Sequence, residues 1–164
     1  MNEAKAKEIL KDAVQRLKVE LGEFGASIGE RTIVFRIAHY MACAVEDGYL
    51  SVDCDYNREG DDVKKFLGLP KEECHDGTCT KRFFPDIVLH KRRSGEKNIL
   101  VCEIKKASDP RGPEIDHRRL EMLTSKIQSF RYLLGAFIKI QQSPPLIEVT
   151  YFKDGKKFGN HIEI

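Results

Sequence analysis

No apolar run in this chain approaches the ~20 residues needed to cross a bilayer. The opening segment, MNEAKAKEILKDAVQRLK, is charged and amphipathic and does not resemble a secretory leader. An excess of one charge is also missing. The 28 Lys and Arg oppose 26 Asp and Glu, leaving +2 at pH 7, so the surface as a whole is not the polyanion trap of a histone-like protein. The five cysteines are odd in number and come without a secretory signal, which argues against a disulfide framework and for reduced thiols. Internal repeats, low-complexity tracts and flexible linkers are lacking too. These absences lead us to expect a soluble, intracellular, cytoplasmic protein with no membrane partner. With 164 residues, 41% of them hydrophobic, the chain suits one domain over 1–164, with residues 1–26 as an N-terminal helical extension.

Periodicity supplies the outline. Ile9, Leu10, Ala13, Leu17 and Leu21 recur at helical spacing and predict an amphipathic helix from about Glu3 to Phe24. A Gly-Ala-Ser break precedes a second helix, about Ile28 to Glu46. Strands are predicted at Tyr49–Tyr56, Phe84–His90 and Asn98–Lys105, followed by a helix at Glu114–Ile127. The apolar run Leu133–Ile140, a strand at Leu146–Phe152 and a last arm beyond Asp154-Gly155 complete the chain. A helical crossover would place the Leu133 run parallel to the strand that carries Glu103.

The segment RFFPDIVLHKRRSGEKNILVCEIKK carries the chemistry. Ser94-Gly95 is a plausible reversal between two strands, and a turn there sets Asp86 opposite Glu103 on one face. Alternation puts Lys105 on that face and Leu100, Cys102 and Ile104 on the other, where a helix would cover them. Opposed carboxylates repel by ~0.2–1 kcal/mol on an exposed sheet, so the pair calls for a cation. Two acidic oxygens with open positions suit Mg2+ or Mn2+, whose remaining ligands come from water and substrate phosphate. An exposed sheet face with ordinary solvated charges is the competing explanation.

Pro85-Asp86 followed by Glu103-Ile104-Lys105 at the end of an apolar strand resembles the PD-(D/E)XK nuclease superfamily, the restriction-endonuclease-like fold. The likeness runs through GERTIVFRIAHYMACAVEDGYLSVDCDYNREG, PDIVLHKR and NILVCEIKK, which resemble small stand-alone prokaryotic members; Asp55 stands where a Glu is expected. The resemblance implies an α/β fold with an αβββαβ core, a mixed central sheet flanked by helices, plus the N-terminal helix. It further implies a Mg2+-dependent nuclease acting on DNA, with Asp86, Glu103, the Ile104 carbonyl and Glu30 around the metal and Lys105 assisting the nucleophile. A homodimer would suit cutting of two strands.

Other residues have competing explanations. Glu30 also sits at capping-box spacing from Ser27. Arg36, Asn57, Arg58 and Lys106 match positions near the substrate cleft, where they could hold phosphate oxygens, although structural roles serve each equally. Gln128 and Tyr132 imitate the QxxxY helix motif of some exonuclease-type members. The basic runs Lys91-Arg92-Arg93, Lys105-Lys106 and Arg118-Arg119 would fit a phosphate backbone or merely be solvated. Cys74 and Cys79 are half of a zinc site that His75, Cys54 or His90 could complete, or a loop of free thiols. Cys43 and Cys102 read as core. No cysteine has a persuasive nucleophile context. The readings left open are an active nuclease, a catalytically inactive nuclease-fold module that binds nucleic acid or a protein partner, and a zinc-stabilised regulatory protein.

Overall fold

The computed structural model describes residues 1–24, 28–56, 58–59, 62–63, 84–94, 97–127 and 130–164. Its elements in chain order are α1 (Glu3–Leu21), α2 (Glu30–Ala44), β1 (Ser51–Cys54), β2 (Arg58–Glu59), β3 (Asp62–Val63), β4 (Ile87–His90), β5 (Asn98–Lys106), α3 (Glu114–Thr124), β6 (Leu134–Gln141), β7 (Leu146–Lys153) and β8 (Lys156–Glu163). Six strands form one open sheet in the order β1-β4-β5-β6-β7-β8, while β2 and β3 make a small antiparallel ribbon. The sheet is mixed: β5 and β6 run parallel and every other neighbouring pair is antiparallel. Among the described residues, no helix is long and apolar enough to cross a membrane.

Sheet alternation divides the core into two layers. Ile87, Leu89, Leu100, Cys102 and Ile104 pack with the buried faces of α1 and α2, and Val88 and Val101 pack with Leu120 and Leu123 of α3. α1 buries Ala6, Ile9, Leu10, Ala13, Val14, Leu17 and Leu21. This helix is therefore built into the main core. Its start is fastened by Glu3, which accepts from both Lys7 and Lys153 at 2.6 Å.

Several boundaries differ from the expected ones for local reasons. β1 stops at Cys54 because Asp55 turns into the left-handed region, φ 50°. α3 stops at Thr124, whose hydroxyl donates back to the Leu120 carbonyl at 2.8 Å while Ser125 leaves helical geometry. The first helix ends at Leu21, ahead of Phe24. The crossover expectation is met: β5 lies parallel to β6, with Glu103 opposite Phe137.

Candidate metal and phosphate site

The β4–β5 hairpin pairs Ile87 with Cys102, Val88 with Val101 and Leu89 with Leu100, and slips by one residue only toward its tip. Continued one step back from Ile87, that register sets Asp86 opposite Glu103. The two carboxylates share the α3 face with Val88 and Val101, because Cys102 and Ile104 are committed to the opposite layer. The Ile104 backbone then contributes its amide, which donates to Asp86 Oδ2 at 2.6 Å. Sequence reasoning had assigned the carbonyl of that residue to a metal.

Burial makes the pair unusual. Glu103 is only 5% exposed, and its Oε1 is buried with no hydrogen-bond partner among the described residues. A buried carboxylate without compensation is costly, so its proton is retained to higher pH. Burial followed by the charges of Asp86 and Asp116 pushes Glu103 well above the usual carboxylate range, and Arg119 and Lys105 oppose the shift. Asp86 rises to about 7, chiefly through burial, with Glu30, Asp116 and Asp55 adding to it and the Ile104 amide pulling the other way. Both shifts come first from burial, with neighbouring carboxylates adding to it.

Glu30 and Asp55 approach Asp86 from other elements. With Arg31, Val34, Phe35, Cys54 and Asp86 they line an open cleft of about 280 Å³. α2 begins at Glu30 with Gly29 as its cap, and the Gly29 carbonyl accepts from Thr32 and Ile33. Glu30 is thus the first helical residue, not the third. Ser27 lies outside the described residues, and Glu30 lines the cleft.

Lys105 does not stand free beside the pair. Its ammonium meets Asp116 Oδ2 at 2.6 Å and donates to the Gly112 carbonyl at 3.3 Å, and Arg119 reaches Asp116 Oδ1 at 3.3 Å. Asp116, 6% exposed, is the residue of this candidate site that the sequence reading does not single out. The available signal was an acidic first turn, Glu114 and Asp116, in the helix that leaves β5.

The remaining candidates fall elsewhere. Arg36 clamps α2 to α1: its Nε donates to Glu20 Oε2 at 2.8 Å, its Nη2 meets Glu20 Oε1, and Nη2 also donates to the Tyr40 hydroxyl at 2.7 Å. The Lys106 ammonium donates to the Ile28 carbonyl at 3.0 Å and fastens the start of α2 beside the end of β5. Tyr132 is 2% exposed, beyond α3, and packs with Phe130 under that helix. The helical spacing assumed for QxxxY is therefore not realised, and Gln128 lies outside the described residues. Asn57, Cys74, His75 and Cys79 also lie outside them, as does the side chain of Arg58, which begins β2. Cys102 is core as expected, but Cys43 is exposed, its sulfur 3.9 Å from His39 Nε2. Cys54 is exposed. His90 is buried and hydrogen-bonded to Asp53 at 2.9 Å, and Asp53 also accepts from Arg92 Nε at 2.9 Å. Arg92, and to a lesser degree His90, holds the Asp53 carboxyl below its usual range.

This donor set can be tested against a divalent ion. Among the described residues, no group of three or more His, Cys, Asp or Glu side chains is placed to hold a metal ion. Mg2+ does not require one, since it is commonly bound by one or two carboxylates with water and substrate phosphate. The unpartnered Glu103 oxygen beside Asp86 suits such an ion. Comparisons of the chain with family models, with curated proteins and with solved structures return no match.

Proposed function

We propose that this protein is a metal-dependent nuclease that hydrolyses phosphodiester bonds, with DNA as its substrate. The observation that carries the reading is the buried, unpartnered Glu103 carboxylate facing Asp86 at the end of β5. The order α2, β1, β4, β5, α3, β6 supports the finer assignment to the restriction-endonuclease-like αβββαβ core. Asp86 and Glu103 would hold Mg2+ or Mn2+, with Glu30 as the next acidic group on the cleft wall. Bound there, such an ion supplies positive charge for phosphate oxygens and acidifies water for attack on phosphorus.

The chain's own residues prepare the rest. Asp86 is oriented by the Ile104 amide, so one oxygen is fixed and the other is left to a ligand. Lys105 shares the face of the pair, and Asp116 and Gly112 hold its ammonium against the end of β5. From there it offers charge to the non-bridging oxygens as they become more negative during attack. Arg31, on the cleft wall, is a further cation for a flanking phosphate.

End-labelled DNA incubated with the purified protein and Mg2+ or Mn2+ tests the reading. Cleavage is expected, and Asp86→Ala or Lys105→Ala should each lower it by at least ~100-fold. Cleavage undiminished in both variants would remove this site from consideration. DNA binding without cleavage under any divalent ion would favour the inactive nuclease-fold module instead.

A further inference from the structure

On its outer face, α2 carries aromatic rings that packing does not explain. Phe35 lines the acidic cleft yet is 60% exposed. His39, one turn further and also exposed, stacks on it with ring centroids 6.1 Å apart and only 15° between the planes. Arg31 stands one turn before Phe35 on the same stripe and lines the cleft too. Phe84, 50% exposed, lies two residues before Asp86 in the chain. A large ring left in water at the mouth of a charged cleft marks a contact surface more readily than a fold requirement.

We infer that the Phe35–His39 pair is a stacking platform for an unpaired nucleobase, and that single-stranded nucleic acid is the substrate class of the cleft. The inference rests on the nuclease reading and deepens it. Aromatic rings beside a backbone-binding groove are the general means of holding single strands, because every base has a π-face to offer. In an intact duplex those faces are already occupied by neighbouring bases, so a platform of this kind has nothing to engage there. Arg31, one turn from Phe35, is placed to meet the phosphate of the stacked nucleotide, whose neighbouring linkage would lie toward Asp86. Stacking does not read base edges, so little sequence preference is expected.

The chain contains no tryptophan, so Phe35→Trp introduces a single indole reporter at the platform. Its emission is followed, with Mg2+ present, during titration with a short poly-dT strand and with a blunt duplex of the same length. Quenching by the single strand but not by the duplex is expected, and Phe35→Ala should weaken single-strand binding by roughly tenfold in an anisotropy titration. Because Phe35 is exposed, its removal leaves the core intact. Single-strand binding with unchanged indole emission and undiminished affinity of Phe35→Ala would overturn the platform and leave the nuclease reading standing. Equal quenching by the duplex would overturn the assignment to single strands. If neither the single strand nor the duplex binds, both readings are overturned.

Discussion

At the scale of single residues, the balance of the site turns on how two carboxyl groups share a buried place. Glu103 and Asp86 both hold their protons to higher pH in the folded chain than they would unfolded, Asp86 up to about 7. The folded state therefore binds more protons than the unfolded state between the ordinary carboxylate range and neutrality, and stability falls as pH rises through that window. Thermal melts without metal should show a midpoint that declines from about pH 5 to about pH 8. Glu103→Gln should flatten the decline, since it removes one buried charge and keeps the shape, and a wild-type midpoint flat across the same range would contradict the assignment. Asp86 and Glu103 were legible in the sequence because strand alternation and a short turn are local rules. Asp116 was not, because its pairing with Lys105 depends on how α3 comes to lie over β5. Arg36 misled for a similar reason: its helix was legible, but the neighbour it meets, Glu20 of α1, belongs to a different part of the chain.

At the scale of elements, the β4–β5 hairpin and α3 together make the site. The hairpin register follows from apolar residues at alternate positions on each strand, and one slip near the tip leaves it intact where the carboxylates stand. The end of α3 was harder to read, because Ile127 keeps helical spacing with Leu120 and Leu123 past the point where the Thr124 hydroxyl competes for backbone. Tyr132, which a QxxxY motif would place on a helix, is instead buried beneath α3. The ion pair between Lys105 of β5 and Asp116 of α3, 2.6 Å apart, joins the two elements at the site. Asp116→Ala would take from Lys105 the carboxylate that it meets and should lower unfolding free energy by about 3 kcal/mol. Denaturant titration checks this, and a change near zero would mean that α3 is held by its apolar face alone.

For the molecule as a whole, two layers of helices close on one mixed sheet, and the chemistry gathers where that sheet's central strand ends. Glu30 at the start of α2, Asp116 in the first turn of α3, Asp55 beyond β1 and Glu103 near the end of β5 are drawn from most of the chain's length. Only the hairpin portion of this convergence is local. The rest arises because α2 packs over one face and α3 over the other, with the start of each tied to the end of β5 through Lys106–Ile28 and Lys105–Asp116. Charge is concentrated there although the whole chain is nearly neutral at +2. Lys105 and Arg119 meet Asp116, Glu103 Oε1 has no hydrogen-bond partner among the described residues, and a divalent cation is proposed to serve it. Calorimetric titration with Mn2+ near pH 8 tests that claim most directly. One ion should bind the wild-type protein with release of protons from the Asp86–Glu103 pair, and Glu103→Gln should abolish both the binding and the release. Mn2+ binding of equal strength in wild type and Glu103→Gln, or none in either, would contradict the account.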